Sequence, residues 1–282
     1  MPAMTRRQVT ITLTRYREPD WLVDEALASL AGQEGVAGEV LFLDQNWRED
    51  YARSVSARSN DRLTFKAIDC DARCLSHARN EGLRLAAHPL VLFAEPDILA
   101  APDWALALAD ALIDGASVAG SRILPKWRGR PPLLARAKTV LDQYSMLDWG
   151  EATIDAHRIV GAGFGVNKAL LDPALHFDER FGRRDGVLTG GEESVFCREV
   201  SKRGGRIVYA GAAVIEHQVL SERLTWSWVL RRLYHAGAAR RQQGGAPSPS
   251  RKPGLWDWLL APIILPPYAL GYVRARLAAT PR

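Results

Sequence analysis

Between residues 9 and 123 the chain alternates short β-branched or aromatic runs with stretches of helical spacing, and few folds accept that pattern. VTITLT (9–14), EVLFL (39–43), RLTFKAI (62–68) and PLVLFA (89–94) have the length and composition of buried strands, and a fifth is expected at 116–123. Between them, residues 19–32 place Trp21, Leu22, Ala26, Leu27 and Leu30 near helical spacing. Residues 76–87 read as a helix with Ser76 as N-cap and His88-Pro89 as its stop, and residues 102–114 as another. Strands returned through helices imply an α/β fold, a mostly parallel central sheet flanked by helices. Ligands of such sheets bind beyond the carboxyl ends of the strands, where Asp44 and the pair Glu95/Asp97 would lie.

A chain of 282 residues that is 47% hydrophobic can bury a full core, and the expectation is one large domain with a tail. Cys70, Cys74 and Cys197 make an odd count without a CxxC pair, which argues against a disulfide framework or a zinc site and for a reducing compartment. The N-terminal MPAMTRRQVTITLT lacks the apolar core of a signal peptide, so export is not expected. The net charge of +5 is uneven: from Arg223 onward ten Lys/Arg face one Asp, leaving −4 for the first 222 residues. Four of the nine tryptophans (Trp226, Trp228, Trp256, Trp258) share that basic tail, a composition suited to an anionic membrane surface; no nucleic-acid partner is expected.

The second half is less regular. Pro125, Pro131 and Pro132 precede a helix expected near 133–148, and GAGFGVNKALL (161–171) carries too many glycines for a simple strand. Gly190-Gly191-Glu192-Glu193 opens a helix with Gly204 as its C-cap, and RIVYAGAAVIEHQ reads as the last strand. Residues 224–242 suggest a helix with an apolar and a basic side, and 242–254 a flexible linker. The apolar stretch 255–273 is short for a membrane span and interrupted by Asp257, Pro262, Pro266 and Pro267, so interfacial or re-entrant docking is expected. Packing back on the domain and homodimer formation are the alternatives.

The ordered set VTITLTRYREPDWLVDEALASLAGQ, EVLFLDQ, LSHARNEGLRLA, VLFAEPDILAAPDW, GAGFGVNKALL with FDERFG, GGEESVFCREVSKRGGRIVY and AAVIEHQ resembles the inverting family 2 glycosyltransferases of the GT-A fold. The resemblance covers roughly residues 9–240. It implies a glycosyltransferase domain at 1–240, with a Rossmann-like nucleotide-sugar half (1–123) and an acceptor half (124–240), followed by a linker and apolar, basic tail at 241–282. It also implies sugar transfer with inversion from a UDP-, TDP- or GDP-linked donor to a hydroxyl acceptor; the basic, tryptophan-rich tail adds the expectation of a glycan or lipid-linked acceptor in envelope glycan, polysaccharide or glycolipid synthesis, at the cytoplasmic face of the membrane. A non-catalytic relative that binds nucleotide sugar or glycan is the alternative.

By the same resemblance Asp97 and His217 would hold Mn²⁺ or Mg²⁺, with Glu95 a weaker metal candidate beside the nucleotide. Thr14, Tyr16, Asp44, Gln45 and Arg79 would contact the nucleotide, Tyr16 by stacking. Glu193 would be the general base, and Glu192 would orient the acceptor or hold a basic neighbour; alternatively the two carboxylates only complement a helix N-terminus. Gly163, with residues 161–165, and Trp149 would line the acceptor side. Three positions depart from the family pattern: Gln45 for a second aspartate, Pro96 for a polar residue and Glu193 for an aspartate.

Overall fold

The computed structural model describes residues 6–71, 74–180, 191–242 and 253–278. The first half follows the alternation. Strand β1 (Arg7–Arg15) is followed by α1 (Asp20–Ala31), β2 (Val36–Asp44), α2 (Glu49–Ser56), β3 (Leu63–Asp69), α3 (Leu75–Leu85) and β4 (Leu90–Ala94). A short β5 (Ile98–Ala100) and α4 (Trp104–Ile113) lead to β6 (Val118–Trp127). Then come α5 (Lys138–Gln143), β7 (Thr153–Asp155), β8 (Gly163–Asn167), α6 (Glu192–Lys202), β9 (Ile207–Val219), α7 (Trp226–Gln242) and α8 (Leu255–Ala278). The strand order is β3-β2-β1-β4-β8-β6-β9-β5, with β7 beside β9. It is parallel over β3-β2-β1-β4, while β8 pairs antiparallel with both β4 and β6.

The glycine-rich 161–171 stretch forms a central strand after all, and its glycines are what permit it. Gly165 lies opposite Leu92 in the register, and a Cβ there would stand 2.7 Å from the Leu92 side chain; one on Gly163 would stand 2.6 Å from Ile215. The neighbours fill the space that side chains on β8 would need. Between these glycines Phe164 stacks on Phe93 (centroids 4.7 Å apart), and Phe177 stacks on Phe196 of α6 at 4.2 Å. This buried aromatic cluster anchors α6.

Local readings are corrected in two further places. Cys74, not Ser76, caps α3, its sulfur accepting from the His77 amide at 3.4 Å; Ser76 is buried and donates to the Asp178 carbonyl. The helix expected at 133–148 is only a 3-10 turn (Leu133–Arg136) followed by the six residues of α5. Gly204, one residue beyond the C-cap of α6, has φ +79, as a glycine placed to end a helix should. Gly190 and linker residues 243–252 lie outside the described residues.

The described residues divide into two compact units, those within 6–124, 147–180 and 191–217 forming the first and those within 125–146 and 218–278 the second. In the second, α8 is one continuous helix despite Pro262, Pro266 and Pro267, contrary to the broken segment expected. Proline's fixed φ is itself helical, and packing against α7 and α5 compensates for the missing amides. Helices α7 and α8 meet at Gly237 and Gly271, where any Cβ would collide with the carbonyl oxygens of Tyr268 and Tyr234. Asp257, out of place in an apolar segment, is buried there and accepts from the amides of Thr139 (2.9 Å), Lys138 (3.2 Å) and Gly254 (2.9 Å). No helix among the described residues is long and apolar enough to cross a membrane.

Candidate active site

The acidic motif begins where β4 ends. The Glu95 amide donates to the Ala162 carbonyl at 3.0 Å, and three residues later β5 pairs antiparallel with β9, setting Ile98 opposite His217. That register brings Asp97 beside His217, with Nε2 and Oδ2 3.2 Å apart. One ligating atom from each of Glu95, Asp97 and His217 lies within 4.8 Å of the others. Two carboxylates and an imidazole are a donor set for Mn²⁺ or Mg²⁺. His217 is 3% exposed, and its Nδ1 is buried with no hydrogen-bond partner among the described residues. An orphaned buried nitrogen costs about 1–3 kcal/mol unless something binds nearby to reorient or engage the ring, so the residues fit a cation.

Arg79 of α3 joins this cluster to the second acidic motif. Its Nη1 donates to Glu192 Oε1 at 2.7 Å, and its Nη2 donates to Glu95 Oε1 at 3.1 Å and to the Gly161 carbonyl at 3.0 Å. The guanidinium lies over the rings of Phe164 and Phe177 and is 2% exposed. Arg79 thus forms a bridge between two carboxylates.

The two glutamates at the start of α6 have different environments. Gly191 adopts φ +111, and its amide donates to Glu192 Oε2 at 3.0 Å, so with Arg79 on the other oxygen the buried Glu192 carboxylate is fully engaged. Of the two roles weighed for Glu192, holding a basic neighbour is the one this geometry displays. Glu193 is partly buried, and its carboxyl is pushed up to about 7, first by burial and then by the negative charge of Glu192, with Arg79 acting against both. A carboxylate poised there can accept a proton near neutral pH.

At the end of β1 a buried ion pair organises the residues assigned to the nucleotide. Asp44 is fully buried, and Arg15 grips it with Nε on Oδ1 (2.8 Å) and Nη2 on Oδ2 (2.5 Å). Arg15, which the sequence reading missed, also donates to Asp20 (2.9 Å) and the Asn46 carbonyl and lies over the Tyr51 ring. A signal was present: an arginine closes a buried strand in the stretch TLTRYRE. Thr14 is buried beside it, and Gln45 is partly buried, its amide donating to the Arg15 carbonyl. Tyr16 is partly exposed with the Arg17 guanidinium 4.8 Å from its ring centroid. On the side assigned to the acceptor, Gly163 is buried against Ile215, and Trp149 packs on Tyr209 with centroids 5.1 Å apart.

The model of glycosyl transferase family 2 matches residues 11–173. The chain belongs to glycosyl transferase family 2. The family 2 match takes in Asp44, Arg79, Glu95 and Asp97 but stops short of Glu192, Glu193 and His217, which only the tertiary structure draws to the same place. Among curated proteins the chain is 22% identical over 173 residues to the glucosyl-dolichyl phosphate glucuronosyltransferase of Haloferax volcanii, across 60% of this chain. The aligned part spans 55% of that relative's length. The mannosyltransferase PcManGT from Pyrobaculum calidifontis, solved in complex with GDP-Man and Mn²⁺, shares the fold with TM-score 0.58 at 18% identity, over 98% of this chain and 77% of its own. GalNAc-T7, solved with UDP, GalNAc and Mn²⁺, gives TM-score 0.58 at 11% identity over 82% of this chain and 48% of its own. At these identities the likeness is one of fold, the GT-A type.

Proposed function

We propose that this family 2 protein is a metal-dependent, inverting glycosyltransferase that moves a sugar from a nucleoside-diphosphate donor to a hydroxyl of a glycan or lipid-linked acceptor. The observation that carries this reading is the meeting of the Glu95/Asp97/His217 donor set with the α6 acids through Arg79. In this reading Glu193 takes the proton of the acceptor hydroxyl while that oxygen bonds to the anomeric carbon. The bond from that carbon to the diphosphate breaks on the opposite face, and the diphosphate leaves with the electron pair. A divalent cation held by Asp97 and His217, with Glu95 beside them, would neutralise the departing diphosphate. Arg79 and Glu192 keep the two acidic motifs at a constant separation and fix the charge beside Glu193.

The complexes of the two structural relatives with GDP-Man and with UDP support a nucleotide-sugar donor, UDP-, TDP- or GDP-linked. The name of the curated relative supports a lipid-linked acceptor. With the basic, tryptophan-rich tail this favours envelope glycan, polysaccharide or glycolipid synthesis at the inner face of the membrane, with the tail as the peripheral contact. The test is donor turnover with Mn²⁺ for the wild type, Asp97→Asn and Glu193→Gln, alongside donor binding by thermal shift. The reading expects metal-dependent turnover that each variant lowers by at least about a hundredfold. Donor binding by the wild type without turnover on any acceptor would establish the non-catalytic alternative.

A further inference from the structure

The outer face of α8 is inverted relative to an ordinary surface helix. Over Leu255–Val273 every exposed residue is apolar, including Leu255, Trp258, Leu259, Ile263, Leu270 and Val273, with Trp258 69% and Leu255 71% exposed. At helical spacing these positions share one side, while Leu260, Ile264 and Gly271 are buried on the other. The single acid of the helix, Asp257, is turned inward to cap α5. Such a face amounts to several hundred Å² of contiguous apolar surface, about as much as or more than the largest patch of a typical monomer.

Its surroundings narrow what can cover it. Past Glu222 the chain has no acidic side chain other than the buried Asp257, so α7 and α8 expose no acidic side chain; Arg231, Arg274 and Arg276 are exposed. Pairing two copies through this face would oppose two such basic tails with no acid to neutralise them. An anionic bilayer offers both an apolar interior and the opposite charge. The prolines set the depth. Pro262, Pro266 and Pro267 have no amide, so the carbonyls of Trp258, Pro262 and Ile263, all on the exposed face, lack their i+4 donor. Bare carbonyls are costly in hydrocarbon and well tolerated at the headgroup boundary, where water reaches them.

We infer that the Leu255–Val273 face of α8 docks flat on an anionic lipid surface at headgroup depth, with Arg274 and Arg276 on lipid phosphates. This inference rests on the peripheral-membrane element of the reading above and is independent of its catalytic part. The experiment is co-sedimentation of the full chain with vesicles of phosphatidylcholine alone, or with one third phosphatidylglycerol, comparing wild type with Leu259→Asp/Leu270→Asp. The wild type should bind the anionic vesicles. The double variant should bind at least about tenfold more weakly while keeping its melting temperature, because both positions are exposed. Arg274→Gln/Arg276→Gln should lower the preference for anionic over neutral vesicles. Quenching of wild-type fluorescence by brominated lipid, reduced in Trp258→Phe, reads the same contact without a disruptive change. Equal binding by wild type and double variant overturns the inference. So does a wild-type dimer that the double variant dissociates without vesicle binding, which would assign the face to a second copy. Vesicle binding by a wild type that no nucleotide stabilises would sink the catalytic reading and leave this one standing.

Discussion

Glu193 and Arg79 define what single residues contribute. The Glu193 carboxyl, raised from an ordinary 4.5 to about 7, binds its proton more tightly folded than unfolded. Stability should therefore fall as pH rises from about 4.5 through 7, and Glu193→Gln should remove that loss. Chemical denaturation at pH 8 should find the variant more stable by on the order of 1 kcal/mol, and near pH 4 the two should be alike. Higher stability in a variant with impaired turnover is the signature of a group kept for chemistry. Arg79→Met has the opposite sign, because it leaves Glu192 and Glu95 without their cation in a buried setting. It should cost about 3–5 kcal/mol in urea melts. At this scale the sequence singled out residues but not their partners. Asp97 was legible from the EPD motif, whereas the pairing of Asp44 with Arg15 depends on the β1–β2 register, which puts Arg15 opposite Asp44.

Elements were legible where one periodicity ruled, as in β1 to β4, and misread where packing overrode composition. Strand β8 carries too many glycines to read as a simple strand, yet Leu92 and Ile215 take up the volume those glycines leave. Gly165→Val should therefore destabilise by more than about 2 kcal/mol in the same melts, since Leu92 and Leu112 both stand within 3 Å of the new Cβ. Helix α8 reads as broken by its prolines and Asp257, yet that aspartate ties it to α5. Burial alone would raise the Asp257 carboxyl, but the amides of Thr139, Gly254 and Lys138 hold it below its usual range. Its contribution is present above the ordinary value of 3.8 and lost as pH falls through the lower folded value. Asp257→Ala should cost about 1–2 kcal/mol at pH 7, and the difference from wild type should shrink in acid.

At the scale of the whole molecule, ligand linkage is the most direct probe. A nucleoside diphosphate that binds with Mn²⁺ at about a hundred times its Kd should stabilise the native state by about 2.7 kcal/mol, visible as a thermal shift. Asp97→Asn should abolish the Mn²⁺-dependent part of that shift, whereas Leu259→Asp/Leu270→Asp, on α8, should leave it unchanged. The two outcomes separate the nucleotide chemistry proposed for the first unit from the lipid docking inferred for the second.

The amino-acid order alone determined the alternation of strands and helices, the acidic ends of β4 and α6, and the uneven charge, because each is a local property of spacing and side-chain type. It also carried the family 2 resemblance over most of the chain. Only the tertiary structure decided which acids are engaged and which are poised. The antiparallel return of β9 sets His217 against Asp97, Arg79 reaches from α3 to both acidic motifs, and α7 and α5 cover one side of α8 and leave the other bare. Those outcomes depend on which residues distant in the chain share a volume, and no local pattern records that.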